Sequence, residues 1–460
     1  MKKMKLFDLA WPIFIETALF MLLGFVDVFI LSGYNDLAAS AVNTAGQAVS
    51  VVTLVFTVIS GASAVLISQY LGADKKTDAS RIAALSIVLN IISGIIISVV
   101  FTFLSGVILS GMGADGDVLK FSSQYLSIVG STIFLQAFMN AVSVIIRNHG
   151  YTRLTMYVTV GINILNAGLD YILVQGLFGV PALGVAGAAW ATVFSRFVGA
   201  AVMSAVLFTK IEKLSIFKLI FPLPLKDIAD IIKIGLPSAM ETFLYNLSQV
   251  VITSIVLTYL TDTELITKTY VQDISMFFYI FAVAIGQASQ IITGHNVGAG
   301  EMDKAYRDGL KAYHYALGCT LAMCSVGIFF RSQLLGIFTD DENVIALGST
   351  VIVVNLLLEL GRTTNIVVIA QLRGAGDVYF PTICAIFSMW LISVLGTYIL
   401  AVRLNMGIYG LWAGITADEC IRGILMVIRW RSKKWQSKAV VNQNGGKNNE
   451  QVSSDPQVEL

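Results

Sequence analysis

Apolar stretches long enough to cross a lipid bilayer follow one another along almost the entire chain. A membrane-spanning helix needs roughly 20 mainly apolar residues. The segments that meet this requirement are 8–32, 46–70, 83–112, 120–146, 155–178, 183–209, 231–259, 270–294, 312–337, 345–371, 380–402 and 407–430. Only 13% of the residues are charged, about half the proportion in a soluble domain. We therefore expect an all-α integral membrane protein of twelve transmembrane helices.

The basic residues outside these segments gather on one side of the predicted membrane. They cluster before the first segment, between the second and third, around the join between the sixth and seventh, and after the last. The opposite loops carry only Lys120, Lys268, Arg331 and Arg403. Because lysine and arginine are in excess in cytoplasmic loops, we expect a multi-pass protein of the cell membrane with both termini in the cytoplasm.

The second half of the chain repeats the first at a nearly constant offset. Residues 12–20 align with 237–245, and residues 70–73 align with 296–299. Each half has an even number of segments, so we expect two parallel six-helix lobes related by a pseudo-twofold axis along the membrane normal. The predicted divisions are 1–210 for the first lobe, 211–229 for a cytoplasmic linker, 230–430 for the second lobe and 431–460 for a polar, disordered cytoplasmic tail.

Polar side chains inside the first-half segments carry the strongest functional signal, since an ionisable residue within a span is costly and by default marks a site. Asp27 lies well inside the first segment. The fifth segment holds Asn163, Asn166 and Asp170, whose spacings of three and four place them on one helical face. Such oxygens can enclose a small hard cation, and two close carboxylates can instead hold a proton. The alternative is helix–helix hydrogen bonding without a role in transport.

The second half carries a different polar set. Thr397 occupies the position that matches Asp170, so an ion site is expected in the first half. The substrate-binding or second-lobe candidates are Glu241, Asn246, Asp273, Glu359 and Arg362. Glu359 and Arg362 are three residues apart and can neutralise each other. Glu241, like Glu16 in the first half, follows a proline and can either act in transport or brace the helix bend.

Catalytic and cofactor-binding motifs are missing from the sequence. There is no GxSxG, HExxH or nucleotide-binding pattern, and the four cysteines form no CxxC pair. We therefore expect no enzyme, and core positions for the cysteines. The net charge of +1 gives no reason to expect a nucleic-acid partner.

Several short motifs together resemble the bacterial type of the multidrug and toxic compound extrusion (MATE) family, over nearly all of residues 5–430. The motifs are Pro12 with Asp27, Gln69–Ala73, Asn166–Asp170, Leu183–Thr192, Val297–Gly300 and Arg373–Asp377. The resemblance implies a V-shaped bundle of two six-helix lobes that alternates between outward and inward openings. It also implies export of large, often aromatic cations, including xenobiotics, in exchange for Na⁺ or H⁺.

The resemblance also implies a cation site in the first lobe. The family's site uses an aspartate on span one and an Asn-x-x-x-Asp on span five, which map onto Asp27, Asn166 and Asp170 and would ligate the metal if the ion is Na⁺. A span-six threonine maps onto Thr192. Some branches carry a span-seven glutamate two turns past the proline, where this chain has Tyr245. We expect no cofactor beyond the coupling ion, a monomer, and partners limited to small organic cations and the bilayer.

Other classes stay open at this point. A lipid-linked precursor flippase of the same superfamily should line its cavity with several arginines or lysines, and we identify Arg196 and Arg362 as the basic residues inside the spans. A sugar-type facilitator-superfamily transporter should carry a Gly-x-x-x-Asp-Arg loop between spans two and three, which is missing. A membrane enzyme or a non-transporting scaffold is the most distant alternative.

Overall fold

A computed structural model describes residues 4–33, 35–179 and 181–441, and in these ranges every regular element is helical. The first-half helices are α1 (Leu6–Ser32), α2 (Asp36–Gly72), α3 (Lys76–Gly111), α4 (Gly116–Ser131), α5 (Ile133–Asn148), α6 (Thr152–Gln175) and α7 (Val185–Lys210). The second-half helices are α8 (Leu225–Tyr259), α9 (Asp262–Gly298), α10 (Met302–Phe329), α11 (Arg331–Gly336), α12 (Glu342–Gly374), α13 (Tyr379–Ser388), α14 (Leu395–Thr397) and α15 (Gly407–Arg431).

These helices confirm the all-α membrane fold. Among the described residues, nine helices are long and apolar enough to span a bilayer, and the α4–α5 pair, bent by 50°, makes a tenth. The other two long helices are α1 and α15, so each of the twelve predicted segments corresponds to a helix or a bent helix pair. α15 is less apolar because it carries Asp418, Glu419 and Arg422.

The first compact unit contains residues 11–67 and 75–235. Its core is apolar, with Phe56, Leu126 and Ile133 fully buried. Gly130 of α4 lies directly against α3, and a Cβ added there would come within 2.5 Å of the Cβ of Phe101. Small residues at helix contacts allow the close approach that drives helix packing in lipid.

The second compact unit contains residues 5–10, 68–74 and those from 236 onward. α12 lies at its centre and packs against α9, α10 and α15. Two π-helical turns, Met389–Val394 and Tyr398–Arg403, interrupt the helix that follows α12. Gly414 of α15 packs against this interrupted helix, where a Cβ would lie 2.7 Å from the hydroxyl of Thr397.

The carboxyl-terminal segment corrects one prediction. The chain from Arg431 to Val441 is ordered rather than disordered, and Lys434–Lys438 forms a 3₁₀-helix. Trp435 is fully buried, stacks on Trp430 at 4.4 Å between ring centroids and donates to the Trp430 carbonyl oxygen. One large aromatic side chain thus outweighs the polar composition around it. Residues 442–460 lie outside the described residues.

The predicted linker 211–229 is also revised. Leu214–Ile220 forms a 3₁₀-helix, and α8 begins at Leu225. The division between the compact units falls after Gly235, inside α8, rather than in the linker. Polar contacts hold the linker within the first unit: Ser80 donates to Glu212 at 2.6 Å, and Arg81 lies 2.5 Å from Asp227.

Candidate functional site

Two polar side chains of α6 lie on its buried face. Asn166 is 4% exposed and Asp170 is 1% exposed, and their four-residue spacing aligns them along the helix. Asn163 is half-buried on the same helix. α6 packs along α7, where Thr192 donates its hydroxyl to the Ala188 carbonyl oxygen at 3.0 Å. The structure therefore places the predicted amide–carboxylate pair inside the first unit.

α1 passes close to the end of α6. Gln175 Nε2 donates to the Ile30 carbonyl oxygen at 3.5 Å. Asp27 lies three residues before Ile30, and Asp170 lies five residues before Gln175. α1 and α6 correspond to the first and fifth predicted segments, which run in the same direction. The backbones of Asp27 and Asp170 therefore lie at similar heights along the two helices. The Asp27 side chain is outside the described residues, so its approach to Asp170 stays a prediction.

A glutamate–arginine ion pair occurs in each compact unit. Glu16 lies 3.5 Å from Arg147 in the first unit. Glu241 lies 2.8 Å from Arg373 in the second and also accepts a hydrogen bond from Thr382. Both glutamates follow the proline of their helix, and these contacts favour the interpretation that they brace the helix bend.

A network of five charged side chains joins α12 to α15. Arg362 lies 2.7 Å from Glu359 and 3.9 Å from Glu419. Arg422 lies 3.0 Å from both Asp418 and Glu419. The network thus holds three carboxylates against two guanidinium groups. Glu359 is fully buried, so the predicted neutralisation of Glu359 by Arg362 occurs inside the helix bundle.

Neutral side chains hold the carboxylates of this network in place. Asn365 donates to Glu419 at 2.9 Å, and Ser388 donates to Asp418 at 2.5 Å. Asn355 approaches Glu359 at 3.4 Å and is itself positioned by the indole of Trp412. Buried charges are tolerated when hydrogen bonds and counter-charges satisfy them together.

A cavity of about 720 Å³ opens beside the network in the second unit, a size typical of sites for drug-sized molecules. α8, α9, α12 and α15 supply its walls. α9 contributes a stripe at helical spacing, namely Lys268, Gln272, Met276, Tyr279, Gly286 and Gln290. This stripe covers about 33 Å of helix at 1.5 Å per residue. The cavity therefore follows most of the length of α9.

The predicted second-half residues are only partly brought together. Glu241, Asp273 and Arg362 line the cavity. Glu359 is not among the lining residues, although it lies 2.7 Å from Arg362. Asn246 is an exposed residue that donates to the Thr242 carbonyl oxygen, and it is not among the residues that line the cavity.

Three basic residues of the cavity were missed by the sequence reasoning, namely Lys268, Arg373 and Arg422. Arg422 lies within the last predicted span, so a count of Arg196 and Arg362 alone was too low. Lys268 was placed in an external loop, but α9 already begins at Asp262. The signal for this earlier start is the capping box of Thr261 and Glu264, which satisfies the first backbone N–H groups.

No group of three or more His, Cys, Asp or Glu side chains in the described part of the chain is arranged to hold a metal ion. The first-unit set named from the sequence consists of Asp27, Asn166 and Asp170. The structure does not describe the side chain of Asp27. A Na⁺ site at Asp27, Asn166 and Asp170 thus stays a prediction.

The helices that are long and apolar enough to span a bilayer define a polytopic membrane protein. The MatE family model matches residues 12–172 and again residues 237–399, one match in each half. The chain belongs to the MATE family of multidrug and toxic compound efflux transporters.

Relatives extend over almost the whole chain. The "Uncharacterized transporter YisQ" of Bacillus subtilis is 37% identical over 95% of this chain and 96% of its own length. The "Probable multidrug resistance protein NorM" of Thermotoga maritima is 29% identical over 95% of this chain and 94% of its own length.

Solved structures share the fold. A MATE protein in the bent conformation superposes with a TM-score of 0.86 at 22% identity, covering 93% of this chain and 95% of that one. A MOP superfamily transporter from Pyrococcus furiosus, described as having a binding pocket of reverse polarity, superposes with a TM-score of 0.85 at 22% identity, covering 94% and 96%.

Proposed function

We propose that this MATE protein is a secondary antiporter of the cell membrane that exports organic, mostly cationic compounds in exchange for Na⁺ or H⁺ by alternating access. The observation that carries the proposal is the burial of Asn166 and Asp170 on one face of α6. A carboxylate and an amide inside an apolar bundle are costly to maintain. Coupling to an ion requires such groups, since they bind the driving ion in one state and release it in another.

The driving ion has two candidate sites. Asp27, Asn166 and Asp170 would offer hard oxygen ligands to Na⁺, or a shared proton position. The α12–α15 network instead favours H⁺, because its three carboxylates exceed its two guanidinium groups by one. A single proton would neutralise that excess.

The flippase alternative receives less support from the cavity. Arg362, Arg373 and Arg422 line it, which is the residue type that phosphate recognition requires. Each of these arginines, however, already forms an ion pair with a carboxylate. A lipid phosphate would have to displace those carboxylates before it could bind.

The test is ethidium efflux from proteoliposomes that contain the purified protein. An inward Na⁺ gradient and an inward H⁺ gradient are imposed in separate experiments. Liposomes without protein and proteoliposomes without a gradient are the controls. We expect one gradient to drive efflux and the other to have little effect. Absence of efflux under both gradients, with correctly inserted protein, contradicts the antiporter proposal.

A further inference from the structure

Lys268 is a buried cation in the wall of the second-unit cavity. The residue is 8% exposed, and its ammonium donates one 3.3 Å hydrogen bond to the hydroxyl of Thr253. Among the described residues, no acidic oxygen lies within the 4.0 Å that defines an ion pair with it. An ammonium carries three donors, and a buried charge without a counter-charge is costly. The position therefore has unused capacity to bind an anion.

The nearest acidic residue along α9 does not supply that anion. Glu264 lies one turn before Lys268, but one of its oxygens accepts the backbone N–H of Ile408 at 2.8 Å. Its other oxygen accepts the backbone N–H of Thr261 at 2.9 Å. Glu264 is thus committed to capping α9 and to holding the start of α15.

Neutral donors line the same cavity as the ammonium. Gln249 and Thr253 lie four residues apart on α8, and Lys268 and Gln272 lie four residues apart on α9; all four line the cavity. In the described part of the chain, neither glutamine side chain has a hydrogen-bond partner. One ammonium, one hydroxyl and two amides form a set of donors suited to an oxyanion.

A carboxylate, opposite in charge to the Lys268 ammonium, lies a short distance along the same helix. Asp273 also lines the cavity, and among the described residues it has no basic partner. It follows Lys268 by about 7.5 Å along the helix axis. The other charged side chains that line the cavity are paired with one another. The cavity wall thus presents one uncompensated positive group and one uncompensated negative group.

We propose that the second-unit cavity binds zwitterionic organic compounds, with an oxyanion of the compound at Lys268 and its cationic group at Asp273. This inference rests on the proposed export function and narrows its substrate class. Simple organic cations would engage Asp273 alone, so Lys268 determines the preference for compounds that also carry an oxyanion.

A matched pair of dyes tests this preference: a rhodamine with a free carboxylate, and the methyl ester of the same dye, which is a simple cation. Binding of each dye to the purified full-length protein in nanodiscs is measured by fluorescence polarisation. We expect the carboxylate dye to bind more tightly. Lys268→Met should weaken its binding by roughly 10- to 100-fold, as loss of a charge-assisted hydrogen bond predicts, and leave ester binding unchanged.

Three further variants make the outcome specific. Lys268→Arg should restore most of the carboxylate-dye affinity, and Asp273→Asn should weaken both dyes. Lys120→Met, at an exposed lysine of α4, should change neither. The inference is wrong if the wild-type protein binds both dyes equally or neither, or if Lys268→Met weakens both alike. Ethidium efflux is measured separately, so loss of efflux with the binding preference intact would contradict the antiporter proposal instead.

Discussion

The carboxylate of Glu241 lies 2.8 Å from the guanidinium of Arg373, at positions that the internal repeat aligns with Glu16 and Arg147. The first unit repeats the contact at 3.5 Å. Each pair joins a helix that contains a proline to the end of a later helix of the same unit. The repeat therefore keeps this contact in both units, whereas Thr397 stands at the position that matches Asp170.

We predict that Glu241→Gln destabilises the protein by about 1–3 kcal/mol, because it leaves the partly buried Arg373 without its counter-charge. Thermal unfolding in detergent should report a lower Tm. Glu16→Gln should have a smaller effect, since its contact is longer. A double-mutant cycle with Arg373→Gln separates the pair from other contacts. A coupling energy near zero would show that the two side chains do not stabilise each other.

We predict that Asp170→Asn abolishes coupled export while the protein stays folded. Asparagine keeps the size of the side chain and its hydrogen bonding, but it can neither take up a proton nor neutralise Na⁺. Asp27→Asn should behave alike if both carboxylates share one site. The readout is ethidium efflux in proteoliposomes, with Asp115→Asn, at an exposed aspartate, as the control. Near-normal efflux by Asp170→Asn would move the coupling site to the second unit.

We predict that Glu359→Gln lowers efflux driven by a pH gradient at least tenfold, if the α12–α15 network carries the proton. The substitution removes the one carboxylate in excess, so the network no longer needs a proton for neutrality. Glu301→Gln, in an exposed pair with Lys304, is the control. Unchanged pH-driven efflux would exclude the network as the proton carrier.

We predict that Trp435→Ala destabilises the protein by about 3–5 kcal/mol, the usual cost of removing a fully buried tryptophan. Its ring stacks on Trp430. A second contact holds the same segment, since Val440 donates its backbone N–H to the side chain of Gln69 at 2.9 Å. Thermal unfolding of Trp435→Ala and of the exposed-site control Lys434→Ala provides the comparison. Equal Tm values for the two variants would mean that the segment adds no stability.

Features that depend on neighbours along one helix could be predicted from the sequence. The apolar runs indicate the twelve helices, since lipid leaves the backbone few other ways to satisfy its hydrogen bonds. The shared face of Asn166 and Asp170 follows from a spacing of four. The contact of Glu359 with Arg362 follows in the same way from a spacing of three.

Features that depend on packing between distant helices could not be predicted from the sequence. The contact of Arg362 with Glu419 joins α12 to α15, and no pattern along the sequence pairs those two positions. The burial of Trp435 was missed because the residues around it are polar. Lys268 was assigned to a loop because hydropathy marks where a helix becomes apolar, whereas the capping box marks where it begins.

The π-helical turn at Met389–Val394 has a consequence for how the two halves correspond. Gly376 follows Gly150 by 226 residues, but Tyr398 follows Tyr171 by 227, so the second half has gained one residue between these points. A π turn closes over five residues rather than four, and can absorb an insertion without a loop. In an uninterrupted α-helix the same insertion would rotate every later side chain by about 100°. Thr397 is instead buried, like Asp170 at the matching position, as expected if the π turn absorbs the extra residue before Thr397.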